Sequence, residues 1–79
     1  MVVQLRFFAS IREYLGAGGA RDVRDGTPVG DIWAAACGDD ARLATFDVRF
    51  AVNEEYVDAT HVPVDGDEVA VFPPVSGGA

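Results

Sequence analysis

The sequence contains no lysine. Its six basic side chains are all arginine, set against thirteen carboxylates for a formal charge of −7. Such a chain repels phosphate backbones, and no basic stripe with interleaved aromatics offsets it, so nucleic acid is not an expected partner. Anionic membrane surfaces are disfavoured for the same reason. The missing ammonium groups also leave no side-chain amine able to capture an activated carboxyl group of its own chain. What the acidity favours is encounter with a basic protein surface, or simply solubility.

Cysteine and histidine are each present once. Cys37 alone excludes an internal disulfide, which fits a reducing compartment, and excludes an iron–sulfur cluster held by four thiolates. It closes a helical pattern and precedes Asp39 and Asp40, so its thiolate is suppressed and it reads as a small core residue. His61 has no second histidine or cysteine at metal-ligand spacing, and no metal site is expected. No apolar run approaches the ~20 residues that span a bilayer. The opening Met-Val-Val-Gln-Leu-Arg lacks the flank, core and cleavage site of a secretory signal, so a cytoplasmic location is expected. At 79 residues, 49% of them hydrophobic, there is room for one small core.

What is there reads as alternating strands and short helices. Val3, Leu5 and Phe7 alternate with Gln4 and Arg6, a strand with one buried face that Phe8 continues. Ser10 and Glu13 have capping-box spacing, and Ile11, Tyr14 and Leu15 follow on one face of a short helix that Gly16 to Gly19 ends. Ala20 to Arg24 is a second strand, closed by the Asp25-Gly26 turn. Thr27 is the expected N-cap, with Pro28 in the first turn and Val29, Ile32, Trp33 and Ala36 as the apolar stripe of the main helix. Asp39 to Thr45 reads as a polar loop. Val48, Phe50 and Val52 alternate as a strand, Asn53-Glu54-Glu55 turns, and Tyr56-Val57 starts a short return. Asp65-Gly66 precedes the last strand, Glu68 to Phe72. This order predicts an α+β domain over residues 1–72: a mixed sheet of four to five strands, one main helix packed on one face, and a short helix after the first strand. The β-grasp, or ubiquitin-like, fold satisfies it.

Residues 73–79 depart from everything before them. Pro73 and Pro74 fix φ, lack N–H groups and stop the last strand, while Gly77 and Gly78 carry no Cβ. Pro73 through Gly78 extended reaches ~20 Å, at ~3.3 Å per residue. A stiff root with a bare end suits a flexible tail that threads a slot too narrow for side chains.

Three segments carry a family resemblance. They are Leu5-Arg6-Phe7-Phe8-Ala9 with Arg12-Glu13 and Gly16, then Ala51-Val52-Asn53, then Asp65-Gly66-Asp67-Glu68-Val69-Ala70 running into Phe72-Pro73-Pro74-Val75-Ser76-Gly77-Gly78. Together they resemble the small subunits of molybdopterin synthase, ubiquitin-like sulfur carriers, over nearly the whole chain. The resemblance implies that an activating enzyme using ATP and magnesium adenylates the carboxylate of Gly78, and that a sulfur donor then converts it to a thiocarboxylate. The tail would then enter the large synthase subunit, in a heterotetramer, and donate sulfur to a pyranopterin precursor. No cofactor is expected on this chain. By position, Gly78 is the reacting residue and Gly77 keeps the slot clear. Phe7, Phe8, Arg12 and Phe72 are expected to meet partners, together with Pro73, Pro74, Val75 and Ser76 of the tail.

One departure stands out: Ala79 follows Gly78, whereas the family pattern ends at the second glycine. Trimming, an added residue and tolerance of the alanine all remain open. So do a carrier serving thiamine, cysteine or tRNA thiolation, a ubiquitin-like protein modifier, and a non-catalytic β-grasp interaction module.

Overall fold

The computed structural model describes residues 1–74. In chain order they form β1 (Val2–Phe7), α1 (Ala9–Leu15), β2 (Gly18–Asp22), α2 (Val29–Cys37), α3 (Ala41–Ala44), β3 (Arg49–Val52), β4 (Glu55–Val57) and β5 (Glu68–Phe72). The five strands make one sheet in the order β2-β1-β5-β3-β4. Its central pair, β1 and β5, runs parallel, with Leu5 opposite Val69 and Phe7 opposite Val71. All other neighbours are antiparallel.

Alternation decides which side chains meet. Val3, Leu5 and Phe7 of β1, Val69 and Val71 of β5, and Phe50 and Val52 of β3 share one face. Ile11 of α1 and Val29 and Ile32 of α2 close over them. Burying each such side chain contributes about 1.5–3 kcal/mol, so this face is where a small domain gains its margin.

Several local expectations are corrected. β2 starts two residues early, in Gly18 and Gly19, and ends at Asp22 instead of Arg24. The two glycines have φ of +107° and +137°, and a Cβ on Gly18 would collide with the Leu5 carbonyl, so only glycine fits this approach to β1. Phe8 ends the strand. Its N–H still donates to Val71 O at 3.3 Å, and it then caps α1 with its backbone, leaving Ser10 inside the helix and no side-chain cap.

The start of α2 also differs. Pro28 occupies the N-cap, while the Thr27 hydroxyl donates to Arg24 O at 2.6 Å. The Val29 and Gly30 N–H groups donate to His61 O and Ala59 O, both at 2.9 Å, so the loop before β5 does the capping. Where a loop was expected, Asp40 accepts from the Arg42 N–H at 2.9 Å and caps the short α3, whose Leu43 is buried. Phe46 then packs edge-on against Tyr14, with ring centroids 5.4 Å apart.

The β3–β4 hairpin turns on two residues, since Val52 pairs with Glu55. Asn53 and Glu54 have φ of +50° and +71°, the left-handed pair of a type I′ turn. No helix among the described residues is long and apolar enough to cross a membrane.

Candidate functional site

The face of the sheet away from the helices is built by the alternate residues. Arg6 of β1, Glu68, Ala70 and Phe72 of β5, Ala51 of β3 and Tyr56 of β4 fall on it by register, and Phe8, just past the end of β1, joins them. Phe8, Tyr56, Ala70 and Phe72 line one shallow apolar depression. The Tyr56 and Phe72 rings lie 5.6 Å apart, and Tyr56 is 79% exposed. The Arg6 guanidinium sits 5.3 Å from the centre of the Phe8 ring and 3.5 Å from Glu68. An apolar patch rimmed by charge marks a surface that meets another molecule.

β5 also sets where the tail begins. Being paired on both sides, it delivers Pro73 and Pro74 from the middle of the sheet at the edge of the patch. The other end of β5 is clamped by Asn53. Its N–H donates to Glu68 O at 2.9 Å, its side-chain oxygen accepts from the Glu68 N–H at 3.0 Å, and its Nδ2 donates to Asp67 at 2.9 Å. Asp67 accepts in addition from the Val64 N–H at 2.9 Å. These bonds, Val64 first and then Asn53, hold the Asp67 carboxyl below the usual carboxylate range.

The expected partner residues divide. Phe8 and Phe72 lie on the open face beside the root formed by Pro73 and Pro74. Phe7 does not: it is 6% exposed and packs edge-on against Trp33 with centroids 6.3 Å apart. The two-residue period that exposes Phe8 buries Phe7, so Phe7 packs in the core and not on the open face expected to meet partners. Arg12 is exposed on α1, but the arginine lying over the patch is Arg6. Tyr56 was missed. No local signal marks it, because its place on this face comes from pairing opposite Ala51 across the hairpin. Val75, Ser76, Gly77 and Gly78, and the Ala79 that follows, lie outside the described residues.

Cys37 is buried in the helix layer, and burial, then Asp40, pushes its thiol up, away from the reactive thiolate. His61 is exposed on the loop before β5, where its carbonyl accepts from Val29. Among the described residues no three histidine, cysteine or carboxylate side chains are grouped to hold a metal.

A mixed sheet with a parallel central pair, helices over one face and a C-terminal root leaving the central strand define a ubiquitin-like β-grasp domain. The chain matches the ThiS family over residues 5–78 and belongs to it. It is 37% identical over 87 aligned positions to the molybdopterin synthase sulfur carrier subunit of Escherichia coli K12, covering 98% of this chain and all of that one. Among solved structures it is similar to SAMP1 from Haloferax volcanii, with 29% identity, a TM-score of 0.77, and 99% of this chain and 100% of that one covered. It is also similar to a chain in the complex of subunits 1 and 2 of the molybdopterin-converting factor from Helicobacter pylori, with 25% identity and a TM-score of 0.64, over 99% of this chain and 100% of that one.

Proposed function

We propose that this chain is the sulfur-carrying small subunit of a molybdopterin synthase. The observation that carries the reading is the apolar patch of Phe8, Ala70, Phe72 and Tyr56 at the point where β5 passes into Pro73 and Pro74. A surface there holds a partner while the tail enters that partner's active site. The identity to a sulfur carrier subunit over the full length supports the same reading.

In this reading the domain holds no cofactor and performs no bond chemistry with its side chains. A free carboxylate is a poor electrophile. An activating enzyme therefore uses magnesium and ATP: the carboxylate oxygen of Gly78 attacks the α-phosphate, pyrophosphate leaves, and the acyl adenylate forms. Hydrosulfide from a donor then attacks the acyl carbon and AMP departs, leaving the thiocarboxylate with no change of oxidation state. Gly78 bears that group, so loading acts on a chain whose free carboxylate belongs to Gly78. Gly77, Ser76 and Val75 follow it into the partner's slot. The large synthase subunit receives the loaded tail, and confinement there supplies the effective concentration for sulfur transfer to the pterin precursor. All of this takes place in the cytoplasm.

The test is reconstitution with the large subunit of the same organism and a thiocarboxylated chain ending at Gly78. Formation of the dithiolene product supports the reading, and a loaded chain that binds the subunit yet transfers no sulfur contradicts it. The likeness to SAMP1 and to small archaeal modifier protein 1, both of Haloferax volcanii, favours a second reading as a protein modifier. An isopeptide bond from Gly78 to another protein's lysine separates the two. Having no lysine, the chain offers a second copy of itself no side-chain amine.

A further inference from the structure

Beside the patch, towards the β4 edge, lies a groove of about 350 Å³ lined by Arg49, Phe50, Tyr56, Val57, Phe72 and Pro74. Five of its walls are aromatic or aliphatic, and the sixth is a guanidinium. Arg49 stands opposite Phe72 in the β3–β5 ladder, so its place is set by the strand from which the tail leaves. Its Nη1 donates to Asp47 at 2.7 Å and to Val48 O at 3.1 Å, which orients the planar fork while using one of its three nitrogens. Both partners of the Arg49–Asp47 pair are more than half exposed, and a pair that wet is readily exchanged for a better-enclosed one.

The charge contrast says what fits. The chain as a whole carries −7 and favours basic surfaces, but this groove presents a cation. Apolar contact is non-directional and leaves the domain free to rotate about its tail. A guanidinium–carboxylate bond is directional and removes that freedom. We infer that the groove seats an apolar or aromatic side chain of the large, sulfur-accepting subunit, with a neighbouring carboxylate of that subunit bonded to Arg49. The inference rests on the sulfur-carrier reading and extends it from where the partner docks to how it is oriented. The large subunit is the occupant chosen because the groove shares Tyr56 and Phe72 with the patch and a similar chain is solved in complex with such a subunit.

The test is calorimetric binding of the recombinant large subunit to the wild-type chain, R49E, R49K and R24E at two salt concentrations, with circular dichroism to confirm folding. Arg24 follows β2, at the opposite edge of the sheet, so R24E makes the same charge change away from the groove. R49E is expected to weaken binding about tenfold or more and flatten the salt dependence, R49K to lose less, and R24E to stay within about twofold. Changing one carboxylate of the partner to lysine is expected to restore binding by R49E. Wild-type affinity in R49E, or an equal loss in R24E, overturns the assignment while leaving the carrier reading standing. Failure of the wild-type chain to bind the large subunit overturns the carrier reading, and the groove's assignment with it.

Discussion

Tyr56 on β4 and Phe72 on β5 bring their ring centroids to 5.6 Å, with planes tilted by 36°, although β3 separates their strands. Strands two apart in a sheet stand ~10 Å from each other, so the rings lean together over β3. Ala51, opposite both Tyr56 and Ala70, is small enough to let them. The result is a continuous apolar surface from β4 to Phe8, ending at the tail root.

Phe8→Ala, Tyr56→Ala and Phe72→Ala are each expected to weaken binding of the large subunit by about 1–2 kcal/mol or more, the range of aromatic interface anchors. Tyr56→Ala, the most exposed of the three, should leave thermal stability nearly unchanged. Titration of the partner against each variant, with melting curves alongside, checks both halves.

Phe7→Ala is expected to behave oppositely. Removing a buried aromatic ring costs about 3–5 kcal/mol, a large share of the stability of a domain this size. A denaturant titration should show the loss directly. A Phe7→Ala chain that stays as stable as Phe8→Ala contradicts the assignment of the two faces.

Acid should weaken the clamp on β5. Asp67 has a folded pKa below its unfolded value of ~3.9, so its contribution is complete above the unfolded value and is lost as pH falls through the folded one. Asp40, held down chiefly by Arg42, and Asp58, held down chiefly by Thr60, act with the same sign. Stability measured from pH 6 downwards should therefore fall below about pH 4. Asp67→Asn should make that acid limb shallower, and an unchanged limb would remove Asp67 from the account.

Glu54→Gly should stabilise the hairpin. Glu54 holds φ of +71°, a region that costs a residue with a Cβ ~1 kcal/mol, partly offset by the greater unfolded-state freedom of glycine. A rise in unfolding free energy of a few tenths to ~1 kcal/mol is expected. A lower midpoint than wild type would mean that the Glu54 side chain matters more than its backbone.

Much of this was legible in the residues. β1, β3, β5 and α2 declare themselves through unbroken alternation or helical spacing, because burial on one face leaves a period in the sequence. The errors fall where another force wins. Gly18 and Gly19 read as a turn, yet both pair with β1, and Gly18 comes so close to the Leu5 carbonyl that no side chain fits there. Thr27 reads as a cap, yet loop carbonyls from Ala59 and His61 satisfy α2, a tertiary arrangement with no local signature. Phe7 and Phe8 look alike as a pair, and only the parity of the strand separates core from surface. Tyr56 joins the patch through strand order, which a single sequence does not display.

The central claim is that the last glycine is loaded by another enzyme. The most direct test is the intact mass of the chain ending at Gly78, and of the same chain ending at Ala79, after incubation with the activating enzyme, magnesium, ATP and a sulfur donor. One oxygen-to-sulfur exchange in the Gly78 form, absent from the Ala79 form, is the expected result. No exchange in the form ending at Gly78 contradicts the account.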